Sequence, residues 1–570
     1  MKNSCLFFLP LLFITYGTSA QAPVKQIPIN VVATMPNMPA PYKMKNWKQI
    51  GVKQDALLYD FNAKGALLPL IWWDDSHVNT PERSFGLPSY VGSLKQKGSG
   101  EYESLPVMGS LLSASLLGID KSNVNGVDFV GMTKHFYNSA NGVNLIMNKG
   151  DLKMGHTFWY EIWPGMAFSM LADQYPAKKD LTAIMQANAT HWLDVINGLS
   201  VNKPFPDFNF TSYNLEQKKG VYNGVWHEPD AAAGLAWLEF AAWKNSKDNK
   251  YLKASQACMA FLQDRAVKEG PFYEVMMPYG AYLAIRMNAE LGTKYDELKM
   301  LNWCFDGNNS DRDGWGVISE KWGDDDVYGL VGQKKEEQYA FAMNTYSHAA
   351  ALVPIVKYNP AYSKTIGKWL LNLANASRLF YADEHPKNRQ TSAVWQGDPE
   401  HVISYEGLRK DLDHGNDFAV FKGILTDKGP YAVGDQVKQY RSMTDICTYG
   451  SAWVGMLGAI VDTTNVKGIL KLNCNATDFY SSRNLPSYLF YNPYATVQSV
   501  ELRVGDSKTN VYDRVSKKYI AKNVSGNINI SIAGDNAVSL VLIPSDLNVY
   551  KKGKQLVTGN EVVDYNYSGN

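Results

Sequence analysis

The stretch Glu228-Pro229-Asp230-Ala231-Ala232-Ala233-Gly234-Leu235-Ala236-Trp237-Leu238 decides the fold. Proline is tolerated at the first helical position and acids there favour the helix dipole, so Pro229 and Asp230 mark a helix start. Beyond it Ala231, Ala232, Leu235, Ala236, Leu238, Ala241 and Ala242 cover most of the circumference of a helix over 229–245. A helix that is apolar nearly all round belongs inside a wrapping of others. Asp398-Pro399-Glu400 repeats the same start grammar.

Working outward, apolar stripes at helical spacing predict helices over 106–118, 162–176, 180–197, 248–266, 275–291, 295–305, 338–356, 361–380, 399–410, 434–440 and 443–461. They arrive largely in pairs, separated by loops rich in Gly, Asn, Asp and Trp, and no parallel-strand alternation accompanies them. The expectation is a mainly α fold, an (α/α)6 toroid over 106–470 closed from helical hairpins, rather than a Rossmann fold or a β/α barrel. Residues 21–105 read as a turn-rich lead-in with short strands. After about Leu472 the runs 487–491, 497–504, 510–515, 528–532 and 537–543 are β-branched and aromatic, which predicts a C-terminal antiparallel β-sandwich over 471–570.

The chain has 570 residues, 45% apolar, 12% aromatic and 19% charged, which is enough to bury a large core. Residues 1–20 carry Lys2, an apolar run and then Thr18-Ser19-Ala20, the grammar of a secretory signal, so the mature chain is expected to be periplasmic or secreted. There are 56 Lys and Arg against 55 Asp and Glu, hence no basic surplus for nucleic acid. Nothing after the signal is long and apolar enough to span a membrane. Cys258, Cys304, Cys447 and Cys474 match neither a zinc site nor a disulfide framework and read as core residues. The oligomeric state is not legible.

Four constellations could carry chemistry. In Trp226-His227-Glu228-Pro229-Asp230 an indole could cover a sugar face while His227 and the two acids handle protons; the structural alternative is a capped helix start. On the predicted helix 399–410, His401, Tyr405 and Arg409 would share one face, with Glu400 and Glu406 pointing elsewhere. A base, a phenol and a permanent cation suit elimination from a uronic acid, whose C5 proton becomes acidic once its carboxylate is neutralised. The loop 306–332 alternates acids with Trp315 and Trp322, as a saccharide cleft would; within it Asn309, Asp311, Asp313, Gly314 and Glu320 match calcium-loop spacing only in part, and an Asx-turn loop is the plainer reading. Glu274 and Tyr279 stand at another helix entry, and Asn344 with His348 could bond a substrate carboxylate. No metal and no cofactor is expected. G-x-S-x-G, Walker A and G-x-G-x-x-G signatures are absent, which lowers the weight of esterase, nucleotide-hydrolase and dinucleotide readings.

Residues 228–238, Leu301-Asn302-Trp303-Cys304-Phe305-Asp306 and Tyr405-Glu406-Gly407-Leu408-Arg409 resemble secreted bacterial (α/α)6-toroid carbohydrate-active enzymes that act on uronic-acid oligosaccharides. The resemblance implies an acidic oligosaccharide as partner, attacked at its non-reducing uronate in breakdown of ulvan-type polysaccharides. It leaves open a lyase or dehydratase giving a 4,5-unsaturated uronate and a β-glucuronidase-like hydrolase; the shared face of His401, Tyr405 and Arg409 makes elimination the favoured expectation and hydrolysis the alternative. The catalytic candidates are His401, Tyr405, Glu228 and His227. Arg409, Trp226, Asp230, Glu274, Tyr279, Asn344, Trp322 and Glu406 are the substrate-binding candidates. A glycosidase would draw its carboxylate pair from Glu228, Asp230, Glu274 and Glu406. A glycan-binding module without turnover is the non-enzymatic alternative.

Overall fold

The computed structural model describes residues 22–567 apart from 66–67, 93–102, 154, 156, 225, 271–273, 308–312, 336–337, 391–401, 403, 412–424, 426–427 and 434–443. The signal segment and His401 therefore lie outside the described residues, as do the predicted helix 434–440 and Asn309 and Asp311 of the loop with calcium-like spacing.

Among the described residues the helices of seven residues or more are α1 (Trp47–Leu58), α2 (Ser104–Leu116), α3 (Phe158–Gln174), α4 (Lys179–Leu199), α5 (Ala231–Ser246), α6 (Asn249–Asp264), α7 (Met277–Leu291), α8 (Glu297–Asp306), α9 (Ala342–Leu352), α10 (Ser363–Ala376) and α11 (Val454–Ile460). Six of them close a ring in which α2 touches α3, α3 touches α5, α5 touches α7, α7 touches α9, α9 touches α11 and α11 returns to α2. The others lie outside. Helix α4 packs on α3 and α5, α6 on α5, α8 on α7 and α10 on α9, while α1 seals the joint between α11 and α2.

Sequence explains the two layers. Every residue of α9 is buried, as are Ala231–Ala242 of α5, so these helices have no solvent face. On α4 the buried positions Leu181, Met185, Ala189, Trp192, Val195, Ile196 and Leu199 recur at helical spacing and form one stripe, the pattern of an outer helix. Small residues let inner helices approach closely. A Cβ on Gly234 would stand 2.7 Å from both Ile162 Cγ2 of α3 and the Met276 sulfur before α7.

The sequence expectations need correction where strands interrupt the helices. Residues 404–410 of the predicted helix 399–410 hold the strand Gly407–Arg409, paired antiparallel with Tyr339–Phe341 on one side and Tyr431–Val433 on the other. The sheet continues through Val331–Gln333 to Trp315–Val317. Gly407 fits this close pairing because a Cβ there would collide with the Ala340 carbonyl and the Tyr339 ring. The predicted helix 338–356 likewise opens as strand Tyr339–Phe341 before α9. Residues 443–461 open as strand Thr444–Cys447, paired with Tyr90–Gly92, and continue as the short helix Thr448–Ser451 and then α11. Helix α1 was not expected in the lead-in. All four described cysteines are buried thiols.

The C-terminal part is a six-stranded antiparallel sheet in the order Val461–Thr463, Leu470–Asn473, Ser487–Asn492, Asn536–Pro544, Gln498–Asp513 and Lys518–Ile532, with a separate three-stranded sheet from Val549 to Asp564. The predicted runs 497–504 and 510–515 are one continuous strand. Leu485, Tyr512, Val541 and Ile543 meet Leu556 and Val563 of the smaller sheet, and α10 packs on the middle of the larger one.

The link between ring and sheet closes one end of the ring. Thr477 donates to the Ala350 carbonyl of α9, Tyr480 donates to the Ser169 carbonyl of α3, and Arg286 of α7 donates to the Phe479 and Tyr480 carbonyls. At its centre the fully buried Asp478 carboxylate accepts from Lys357 at 2.5 Å, Tyr282 at 2.7 Å, Tyr358 at 3.0 Å and Ser481 at 2.7 Å. Burial alone would raise its pKa, but the charges of Lys357 and Arg286 outweigh that and hold it at about 2. Such a depressed acid contributes stability that is complete above its unfolded pKa of about 4 and is lost as pH falls toward 2. Asp478→Asn strands buried cations, so it should lower unfolding stability at pH 7 by about 3–5 kcal/mol. Urea titration at pH 7 and pH 3 checks this, and the gap between wild type and variant should narrow at the lower pH.

Candidate functional site

The opposite end of the ring collects the starts of all six inner helices. Glu103 occupies the N-cap of α2, whose Ser104 N–H donates to the Asn148 side chain at 3.0 Å. Trp159 and Tyr160 sit in the first turn of α3, capped by Thr157. Glu228 and Asp230 precede α5, and Glu274 precedes α7 with φ +55, a left-handed conformation that a glutamate adopts only under local constraint. The first N–H of α9, from Ala342, donates to the Glu406 carbonyl at 2.9 Å. Tyr449 lies on the short helix ahead of α11.

Several contacts tie these starts together. The Trp159 N–H donates to Glu228 Oε2 at 2.9 Å. Ser89 accepts the Tyr449 N–H on its carbonyl and donates its hydroxyl to Glu103. The Tyr90 hydroxyl donates to Glu406 at 3.4 Å. Tyr449 is stacked between Tyr90, at 5.9 Å between ring centroids, and Trp159, at 6.1 Å, which makes an aromatic floor. Tyr160 stands above it with 37% of its surface exposed.

The same acids perturb the phenols. Burial pushes the Tyr160 hydroxyl up, and the charges of Glu103, Glu274 and Glu406 all push it further. Tyr90 is raised first by burial and then by Glu406, and Tyr449 by burial and then by Tyr160 and Glu103. The three phenols therefore stay protonated at neutral pH. Glu103 is itself raised by desolvation, with the Ser89 hydrogen bond pulling the other way and Asp151 adding to the rise. A carboxyl raised by desolvation is suited to hold a proton and act as an acid.

The residues expected from sequence fall into several settings. Glu406 and Glu274 belong to this cup. Arg409 is two residues from the strand's start, its guanidinium 4.0 Å above the Tyr339 ring. Glu228 is fully buried and braces the loop, accepting both the Trp159 N–H and the half-buried Trp226 indole at 2.9 Å. His227 stacks on Tyr222 at 4.2 Å. Tyr405 is buried and donates to Gln390 at 2.8 Å. Tyr279 lies deep in the ring against Trp163 and Trp237. Trp322 is buried with its indole on Glu320 at 2.7 Å, so its ring meets no solvent. Asn344 is buried in α9, and its amide finds no hydrogen-bond partner among the described residues. His348, also buried in α9, is pushed down to about 3 by desolvation and is neutral at physiological pH. Glu103, Tyr90, Tyr160 and Tyr449 were missed by sequence reading. Only Glu103 left a local signal, an acid just ahead of Ser104-Leu105-Pro106 at a helix start.

No family model and no curated protein matches this chain. Among solved structures it is similar to a GH127 β-L-arabinofuranosidase from Geobacillus stearothermophilus T6, at 9% identity over 82% of this chain and 78% of that one, with a TM-score of 0.33. It is also similar to a family 76 glycoside hydrolase from a bovine Bacteroides thetaiotaomicron strain, at 9% identity over 73% and 77%, TM-score 0.41. A metagenome-derived family 9 endoglucanase overlaps at 13% identity over 72% and 81%, TM-score 0.36. At such scores the overlap is partial, and the chemistry has to be read from this chain's own side chains.

Beside the cup, Asp230 is fully buried with no hydrogen-bond partner for either oxygen among the described residues. Burial first, and the charge of Glu228 second, push its pKa well above the carboxylate range. The folded state thus keeps a proton that the unfolded chain releases near pH 4, so the stability Asp230 supports is full below that pH and declines as pH rises toward the folded value. Asp230→Asn removes this slope. Its melting temperature should gain on wild type between pH 4 and pH 7, which scanning calorimetry at both pH values would show; parallel profiles would mean that Asp230 is ionised in the folded protein.

Proposed function

We propose that this chain is a polysaccharide-degrading glycoside hydrolase acting on the non-reducing ends of oligosaccharides, built on an (α/α)6 toroid and exported through its 1–20 segment to the periplasm or beyond. The linkage of Glu103 and Glu406 across the helix starts carries this reading: Ser89 donates to Glu103 and accepts the Tyr449 N–H, and Tyr449 stacks on Tyr90, whose hydroxyl donates to Glu406. Hydrolysis of a glycosidic bond needs one carboxyl that holds a proton for the leaving oxygen and one carboxylate that attacks or activates water. Glu103, desolvated and raised, suits the acid. Glu406, held by the Tyr90 hydroxyl and fixed to the start of α9 through its own carbonyl, suits the carboxylate. Glu274 supplies a third acid for sugar hydroxyls or for water, and the Tyr90, Tyr449 and Trp159 rings offer a floor for an apolar sugar face.

Elimination from a terminal uronate is the second reading, favoured by Arg409, three residues after Glu406. Its guanidinium could neutralise the substrate carboxylate. The raised phenols weigh against it, because a tyrosine base must be ionised to abstract a proton.

Incubation with size-fractionated digests of ulvan and of xylan separates the two. Hydrolysis releases reducing sugar with no new ultraviolet absorbance, and elimination produces the absorbance of a conjugated unsaturated uronate. Glu103→Gln and Glu406→Gln should each lower kcat by about 10²–10⁴-fold with folding intact by circular dichroism. With Glu103 as acid, kcat/KM should fall on the alkaline side as pH passes its raised pKa. Full activity in both variants would remove the cup from the chemistry.

A further inference from the structure

Next to the cup stands an aromatic surface that neither the ring nor the acids require. The hairpin Ser212–Asn214 with Lys219–Val221 leads into Tyr222, and the chain returns through Trp226 and His227 to Glu228. Tyr222 is 49% exposed, and its ring lies parallel to that of His227, 4.2 Å away and tilted by only 11°. Isolated exposed aromatics are ordinary on protein surfaces. This one is held still. Thr211 fixes both ends of its loop, accepting the Asn223 N–H on its hydroxyl at 3.1 Å and donating that hydroxyl to the Trp226 carbonyl at 2.7 Å. The Thr211 N–H donates to the Val221 carbonyl, and the Thr211 carbonyl accepts from Phe158, the first residue of α3. Asn223 in turn accepts the Trp226 N–H at 3.3 Å.

The same connections set its position relative to the cup. Glu228, the residue after His227, holds the Trp159 N–H, and Trp159 adjoins Tyr160. An aromatic face pre-oriented by stacking and by a hydrogen-bonded loop binds a flat apolar ligand face without first paying to order itself. Sugar rings present such faces through their C–H groups, and an extended glycan whose end sits among Glu103, Glu274 and Glu406 would need a surface for the units that project outward.

We propose that Tyr222, stacked on His227, is a sugar-binding platform at the rim that holds an outer unit of an oligosaccharide and sets a preference for chain length. The proposal rests on the glycan-cleaving reading of the cup and adds the residue that would select longer substrates. His227 backs the ring of Tyr222 and is a positioning residue in this arrangement.

Isothermal titration calorimetry of the full chain with disaccharide and hexasaccharide fractions of ulvan and of xylan, paired with reducing-end kinetics, tests it. Tyr222→Ala should weaken hexasaccharide binding and raise its KM by about three- to tenfold, with a smaller effect on the disaccharide, and Tyr222→Trp should restore the wild-type values. Equal affinities for Tyr222→Ala and wild type at both lengths would overturn the platform and leave the cup untouched. Hexasaccharide binding that depends on Tyr222 in a protein releasing no reducing ends would uphold the platform and sink the hydrolytic reading. Absence of any oligosaccharide binding by wild type would overturn both.

Discussion

Six helix N-termini aimed at one hollow are the constraint on which the rest of this structure depends. Each helix start leaves backbone N–H groups without intrahelical partners and carries a partial positive charge. Brought together, the starts of α2, α3, α5, α7 and α9 and of the short helix before α11 form a setting that tolerates acids at a density water alone would disfavour. Glu228 braces the start of α3 directly, Glu406 serves that of α9 through its carbonyl, and Glu103 occupies the N-cap position of α2 while its carboxylate accepts from Ser89. The stabilisation is about 0.3–1 kcal/mol for each exposed carboxylate and up to about 2 kcal/mol where it is partly buried, so no single helix accounts for the cluster. Closure of the ring does, which makes the near-complete burial of the inner helices a requirement of the site as well as of stability.

The closed end shows the same polarity reversed. Helix C-termini favour cations, and there Arg286 of α7 donates to the Phe479 and Tyr480 carbonyls and to Glu290, while Lys357, just beyond α9, donates to Asp478. A buried ion pair is weak evidence for stability in itself, since desolvation offsets much of the attraction. Its use here is geometric. Asp478 gathers Tyr282, Tyr358, Lys357 and Ser481 onto the loop between the strands Leu470–Asn473 and Ser487–Asn492, so the C-terminal part is fixed to the end away from the cup.

Most of the helical layer was legible in the sequence because its signal is local. Apolar coverage of α5 and the stripe of α4 follow from neighbours a few residues apart. The strand Gly407–Arg409 was not legible, because a spacing of four places Tyr405 and Arg409 on one side in a helix and equally in an alternating strand. What decides between them is pairing with Tyr339–Phe341, nearly seventy residues earlier in the chain, and the space that only Gly407 leaves for it. The site divided in the same way. Glu228 and Asp230 stand out as a helix start and Glu274 as an acid near a helix entry, whereas Glu406 reads as the middle of a helix and in fact precedes the strand Gly407–Arg409. Tyr90, Tyr160 and Tyr449 look like ordinary core aromatics until ring closure stacks them beneath the acids.

Charge balance in the cup then limits what it can accept. A substrate carboxylate arriving within about 4 Å of an ionised glutamate would meet repulsion on the order of 4 kcal/mol at an effective dielectric near 20. The protonated phenols can donate hydrogen bonds but cannot cancel that charge. The raised pKa of Glu103 reduces the repulsion, because it keeps that carboxyl neutral over a wider pH range than an ordinary glutamate. A neutral sugar does not need this for binding, whereas a uronate does. In the proposed hydrolysis the carboxyl that would donate to the leaving oxygen is thus also the group that would admit an anionic ring, and the affinity for uronates and the rate of cleavage should share one titration.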